Sequence, residues 1–174
     1  MRNFFKQFLK DKFAIMSSFV LLILYSAIFL ANFIAPYPKD FSDRKLSYAP
    51  PSNVYFITPE GKLSRPYTYN YIRKFDKNSL RMYFVQDRSQ KYYLTLFPEG
   101  FEYKFLGIFK TKRHLFGVEK GGNIFLLGCD INGRDNFSRL LYGGQVSLTI
   151  GFLALFISFP IGLIYGGIAG YLGG

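Results

Sequence analysis

One cysteine, Cys129, and one histidine, His114, are all that 174 residues offer of the two commonest soft ligands. A lone cysteine excludes an internal disulfide framework. A lone histidine, with no paired Cys or His spacing, excludes a recognisable metal site. His114 sits in KTKRHLFG beside three basic residues and reads as a solvated or packed surface histidine. Catalytic pairings are missing as well. No nucleophile has a neighbouring base, and Asp130 and Asp135 lack the partners that paired-carboxylate chemistry needs.

Charge is missing from two long stretches. From Phe13 to Ala35 there are 23 residues without a charged side chain, and from Leu140 to Gly174 there are 35 more. A helix needs roughly 20 apolar residues to cross the roughly 30 Å hydrocarbon core of a bilayer, so both runs qualify as spans. The first begins after a basic start, MRNFFKQFLKDK, which would also suit a signal peptide. Its apolar core exceeds the roughly 7–15 residues of a signal sequence, and SAIFLANFIAPYP holds no small-x-small cleavage site, so an uncleaved anchor is expected.

The charge that remains is strongly basic, with a formal net of +11. Arg2, Lys6, Lys10 and Lys12 stand against Asp11 at the N-terminus, a cytoplasmic signature under the positive-inside rule. Of 22 Lys and Arg these four precede the first span, leaving 18 between the spans against the remaining 10 of 11 acidic residues. Long segments translocate largely regardless of charge, so the reading is a cytoplasmic N-terminus and an extracytoplasmic middle segment. The lysines and aromatics of that segment do not make a nucleic-acid surface, because basic charge alone is weak support and the expected location is wrong.

The fold class that follows is an α-helical membrane protein with two transmembrane helices and a small β-rich extracytoplasmic insert. Residues 1–12 form a basic cytoplasmic lead-in, with Phe4, Phe5, Phe8 and Leu9 at helical spacing suited to the headgroup layer. Residues 13–36 form the first transmembrane helix, ended by Pro36 and Pro38. Tyr37 falls where an interfacial aromatic is expected. Residues 37–125 form the insert, with strands expected at LRMYFV (80–85), KYYLTLF (91–97) and FEYKFLGIF (101–109). The polar QDRSQ and the turn Pro98-Glu99-Gly100 separate them, and NVYFITPEGKLS supplies an earlier pair of strands around a second Pro-Glu-Gly. Residues 126–145 form an interfacial elbow, and 146–174 the second transmembrane helix.

That second helix carries a stripe of small residues. Gly162, Gly166 and Gly170 recur every four positions up to Gly174, and the face continues back through Ser158, Ala154, Gly151, Ser147 and Gly143. In lipid, helices associate through close backbone approach, which small residues permit. Pro160 adds a kink that neighbouring helices can accommodate. The stripe is too long for the first span to cover, with only Ala14, Ser18, Ser26 and Ala31 in looser array. More helices are therefore expected than these two.

The elbow joins charge to the membrane. Asn132-Gly133 is a turn signal. Asp135 suits the start of a helix, where its carboxylate meets unpaired N–H groups, and Arg139 at i+4 is placed to pair with it. Phe137, Leu140, Leu141 and Leu148 share an apolar side.

The run LLGCDINGRDNFSRLLYGGQVSLTIG, followed by PIGLIYGGIAGYLGG, closely resembles the C-type permease subunits of dipeptide and oligopeptide ABC transporters. Their pattern has the form LGTDxxGRDxxSRLLYGxRxSLxxG, then GxxxGxxAGYxGG. Gly128, Asp130, Gly133, Arg134, Asp135, Ser138, Arg139, Leu140, Leu141, Tyr142, Gly143, Ser147, Leu148 and Gly151 match the first part. Gly162, Gly166, Ala169, Gly170, Tyr171, Gly173 and Gly174 match the second. Cys129 stands where Thr is usual and Gln145 where Arg is usual. The insert is longer than in the simplest members and resembles the enlarged version of some oligopeptide or microcin-type permeases.

The resemblance implies the N-terminal part of a permease subunit in a bacterial inner (plasma) membrane, multi-pass and without a cofactor. It implies a second permease subunit, two ATPase subunits that hydrolyse ATP, and an extracytoplasmic peptide-binding protein, all around a lipid bilayer. The family's later helices and ATPase-docking loop lie outside these 174 residues, so the reading frame is expected to continue into further spans. A rival reading, a two-span membrane-anchored scaffold or binding protein with a β-rich module, expects a stop codon after Gly174 instead.

Overall fold

The computed structural model describes residues 8–77, 80–105 and 107–173, in two units, Met1–Tyr142 and Gly143–Gly174. Of the lead-in, residues 1–7 with Phe4 and Phe5 lie outside the described residues. The first helix, α1 (Lys12–Phe29), starts where Asp11 turns its carboxylate back onto the N–H groups of Phe13 (2.9 Å) and Ala14 (3.3 Å). That capping satisfies donors a helix start leaves open. Leu30 breaks the helix for one residue, and the short α2 (Ala31–Ile34) follows. Ala35 is extended, as a residue before proline prefers to be.

A loop with one 3₁₀ turn (Arg44–Leu46) leads to the β-rich insert. Strands β1 (Tyr55–Ile57), β2 (Leu63–Asp76), β3 (Arg81–Leu96) and β6 (Phe116–Val118) form one antiparallel sheet in the order β1-β2-β3-β6. Strands β4 (Glu99–Phe105) and β5 (Phe109–Arg113) form a separate hairpin. The final helix, α3 (Asn136–Leu172), runs through Pro160. Both α1 and α3 are long and apolar enough to cross a membrane.

The β1–β2 turn lies at Pro59-Glu60-Gly61, where Gly61 takes a left-handed conformation (φ 78°) and its N–H reaches the Thr58 carbonyl at 2.9 Å. Other strand expectations need correction. The runs 80–85 and 91–97 are not two strands: both lie in β3, and QDRSQ runs through it, Asp87 facing Asn70 of β2. Its partner β2 starts in the second strand expected from NVYFITPEGKLS and runs on past it to Asp76. Polar residues do not end an exposed ribbon, because the backbone ladder supplies the bonds and only one side chain in two needs cover.

FEYKFLGIF is likewise not one strand. The chain reverses at Gly107 (φ 76°), pairing Phe105 with Phe109. Apolar side chains flank this reversal on both sides, so composition does not mark it. Pro98 is not in a hairpin turn either; it stands where the chain leaves β3 for the β4–β5 hairpin.

The core of the insert is aromatic. Tyr67 and Tyr69 are buried on β2; Tyr55 stacks with Tyr67 and meets Tyr69 edge-on, and Tyr67 is edge-on to Tyr93. His114 is packed rather than solvated: it is buried, with ring centroids 4.2 Å from Phe101 and 4.9 Å from Tyr103, and Nε2 lies 3.1 Å from the Phe101 carbonyl. Burial pushes its pKa down, against the hydrogen bond to Phe101, which favours the charged ring.

The insert leaves and returns at one place. Ser52 N–H donates to the Phe125 carbonyl (2.8 Å), and Phe125 N–H donates to Ser52 Oγ (3.0 Å). Everything between is an excursion with joined ends.

The His114 packing gives a stability prediction. A Cβ on Gly100 would lie 2.7 Å from His114 Cδ2, so Gly100→Ala should cost about 1–3 kcal/mol by overpacking. A Cβ on Gly143 meets nothing within 4 Å, so Gly143→Ala should leave the midpoint unchanged or raised. Thermal unfolding of the two variants in detergent compares them, and equal midpoints would contradict the packing.

Candidate functional site, a clasped elbow

The elbow is held by the loop that follows the first span. Asp43 N–H donates to the Gly133 carbonyl (3.2 Å), Tyr48 N–H to that of Asp130 (3.0 Å), and Cys129 N–H to that of Ala49 (2.9 Å). Ser42 Oγ donates to the Asn132 carbonyl (2.7 Å) and Ser47 Oγ to the Ile131 carbonyl. Two loops thus satisfy each other's backbone groups, as buried chain must. Close approach demands glycine. Gly133 is left-handed (φ 70°), and a Cβ there would collide with the Asp43 carbonyl. Gly128 is left-handed too (φ 68°), with the Ala49 carbonyl 2.7 Å from where its Cβ would be.

Asp130 organises the charges. It accepts from the N–H groups of Asn132 (2.8 Å) and Arg134 (2.9 Å), from Arg134 Nε (2.9 Å), and from Arg139 Nη1 (2.6 Å). Burial raises its pKa, but the Arg134 and Asn132 donors outweigh that and hold the carboxyl below the usual range. The expected Asp135–Arg139 pair gives way to this one. The loop brings Asp130 to Arg139 across nine residues, while Asp135 is turned inward.

Asp135 is buried and starts α3. Its Oδ2 accepts from Ser138 N–H (2.8 Å) and Ser138 Oγ (2.7 Å), while Oδ1 is buried without a partner among the described residues. Burial raises its pKa, opposed by the Ser138 hydrogen bonds. Cys129 packs with Leu46, Ala49 and Phe125. Burial, then the charges of Asp135, Asp130 and Asp43, push its thiol up to about 12, which keeps it protonated and slow to react at neutral pH.

The first turns of α3 grip the chain leaving α2. Tyr37 N–H donates to Ser138 Oγ (3.3 Å), and Tyr142 OH donates to the Tyr37 carbonyl (3.2 Å). Tyr37 is not a headgroup anchor: its ring lies 4.3 Å from Phe41 and 5.2 Å from Phe125, and its OH accepts from Ile124 N–H (2.9 Å). Ala31 and Ala35 are buried against Leu141 and Tyr142, with Ala27, Ile34 and Phe137 beside them. Leu140 faces outward, away from this cluster.

The fold therefore brings together Gly128, Asp130, Gly133, Arg134, Asp135, Ser138, Arg139 and Tyr142. It does not bring in Gly143, Ser147, Gly151, Gly162, Gly166 or Gly170. Burial on α3 ends at Tyr142, and a Cβ on those glycines meets nothing within 4 Å. Sequence reasoning missed Tyr37, Asp43 and Ala49. It had a signal for Ala27, Ala31 and Ala35, which recur every four residues. With Asp130 bonded to Arg134 and Arg139, and Asp135 bonded to Ser138, the arrangement can position the start of a helix.

Comparison with known proteins agrees with this division. Residues 1–51 match the N-terminal transmembrane domain of oligopeptide transport permease C. That match ends four residues before β1, so it takes in the clasping loop and omits the insert. The chain is 55% identical over 47 residues to the dipeptide transport system permease protein DppC of Bacillus subtilis (strain 168), covering 27% of this chain and 15% of that protein. It is 51% identical over 47 residues, with the same coverage, to the oligopeptide transport system permease protein OppC of Haemophilus influenzae. To the Haemophilus influenzae DppC it is 45% identical over 56 residues, 32% of this chain and 19% of that protein. The match thus spans under a fifth of each relative. No solved structure matches this chain. The chain is similar to C-type permease subunits of peptide ABC transporters, and its two apolar helices fit a membrane protein.

Because Cys129 is the only cysteine, its alkylation reports the clasp. The native chain should resist N-ethylmaleimide at neutral pH. Gly133→Ala, losing about 2 kcal/mol to a strained backbone and a collision, should speed alkylation about thirtyfold. Asp130→Asn should speed it several-fold. Rapid labelling of the native chain would contradict the clasp.

Proposed function

We propose that this chain supplies the N-terminal part of the integral-membrane permease subunit of a peptide ABC importer, contributing helices to the translocation pathway. The observation that carries the reading is a coincidence of two independent features. The matched residues 1–51 and the motif-bearing elbow are far apart in sequence, yet they form one clasp. A membrane-anchored scaffold with a β-rich module has no need of such a clasp, and that alternative is not favoured.

In this reading the N-terminus is cytoplasmic, the insert is extracytoplasmic, and the protein is multi-pass in a bacterial inner membrane. The elbow residues Gly128 to Tyr142 fix where the second span enters. The face of Gly143, Ser147, Gly151, Gly162, Gly166 and Gly170 packs against other helices, which its uncovered backbone permits. The partners are a second permease subunit, two ATPase subunits that hydrolyse ATP, and an extracytoplasmic peptide-binding protein that docks on the insert.

The test is uptake and assembly. A strain lacking the gene should lose import of di- or oligopeptides and regain it with the gene. A tagged protein should copurify with a second permease and an ATPase. Replacing residues 53–124 with a short linker should keep that copurification and abolish capture of the binding protein. Unchanged peptide import in the deletion strain would overturn the function, and unchanged capture would overturn the docking role.

A further inference from the structure

The β4–β5 hairpin ends in exposed apolar residues beside the point where the first span ends. Ile108 is 72% exposed and Phe109 67%, and Leu96 and Phe97 nearby are exposed as well. At the base of this patch stands Phe33 of α2. Its ring lies 6.2 Å from Phe97 and 6.0 Å from Phe105, and its carbonyl accepts from Leu115 N–H at 2.8 Å.

Depth along the helix says what covers the patch. Phe13 begins the uncharged run, just after Lys10, Asp11 and Lys12. α1 carries the chain sixteen positions from Phe13 to Phe29, about 24 Å at 1.5 Å per residue. Phe33 stands on the short α2 beyond Leu30, which brings it close to the roughly 30 Å thickness of the hydrocarbon core. With the charged start at one boundary, Phe33 stands at the other, and Phe97 and Phe105 stand there with it. Charge points the same way. Lys104 and Lys110 face each other across the two strands, and like charges so placed repel. Among the described residues only one exposed acid, Glu102, meets either of them, 3.7 Å from Lys110. Lipid phosphates would relieve that pair, and aromatic rings with lysines above them suit the headgroup boundary.

We propose that the β4–β5 hairpin is a membrane anchor, with Ile108 and Phe109 in the lipid at the leaflet edge and Lys104 and Lys110 on phospholipid phosphates. This rests on α1 being a transmembrane helix, and it holds for whichever side the insert occupies. The hairpin would fix the height of the insert on the bilayer through a second attachment beside the span.

The chain has no tryptophan, so one introduced indole reports alone. Full-length Phe109→Trp, Phe75→Trp and Val20→Trp are reconstituted in vesicles of phosphatidylethanolamine and phosphatidylglycerol containing brominated lipid. Phe109→Trp should emit to the blue and lose about half its intensity to bromines high on the acyl chain, as an interfacial ring would. Phe75→Trp, exposed at the β2–β3 end of the sheet opposite Phe97, should emit as in water and be unquenched. Val20→Trp should be quenched best by deep bromines. Adding Lys104→Glu and Lys110→Glu to Phe109→Trp should reduce its quenching; no change would overturn the phosphate contact.

An unquenched Phe109→Trp beside a quenched Val20→Trp would overturn the anchor alone. In that case red emission means water, and blue emission means cover by protein. An unquenched Val20→Trp would overturn the membrane reading and the anchor with it.

Discussion

The carbonyl of Asp43 and the backbone of Gly133 approach so closely that no side chain larger than hydrogen fits between them. Around that contact, residues 42–52 and 125–133 exchange main-chain and serine hydrogen bonds. The rest of the first unit depends on it. The loop after the first span can end nowhere else, and α3 must begin at Asn136. The inward Asp135 then meets Ser138, and Ser138 meets Tyr37. Two alanines, Ala31 on α2 and Ala35 just after it, leave room for Leu141 and Tyr142 to close against them. These bonds fix where the first turns of α3 start within the first unit.

The same constraint explains how a large β-rich insert can be carried without disturbing the clasp. Its ends are tied together by Ser52 and Phe125, so its length is immaterial to the geometry beneath. Closing a longer loop costs only about 0.6 kcal/mol per doubling of its length. The insert has its own aromatic core around Tyr67 and Tyr69, and a histidine buried among Phe101 and Tyr103. It returns to α2 through Phe33, whose ring packs against Phe97 and Phe105.

Legibility in the sequence followed the range of the interaction. The two uncharged runs, the Gly133 turn and the start of α3 are local and could be read directly. Asp130 could not be read, because its second arginine is nine residues away and only the folded loop brings it near. The neighbours at i+4, Asp135 and Arg139, offered a simpler pairing that burial of Asp135 overrides. Tyr37 carries an interfacial composition, yet its neighbours Phe41 and Phe125 draw it into the protein. In the insert, QDRSQ carries the polarity of a loop but lies on a half-exposed ribbon, and the reversal at Gly107 is hidden by apolar residues on both sides. The stripe from Gly143 onward is plain in the sequence, and a Cβ on its glycines meets nothing within 4 Å among the described residues.

Amide hydrogen exchange tests the clasp most directly. The N–H groups of Asp43, Tyr48 and Cys129 lie in irregular chain, and each is bonded only across the two loops. If the clasp is one cooperative unit, all three should be protected to the same extent and lose protection together under mild denaturant. Exchange at the rate of free loops, or three unrelated protection factors, would contradict the claim that this contact positions the helix.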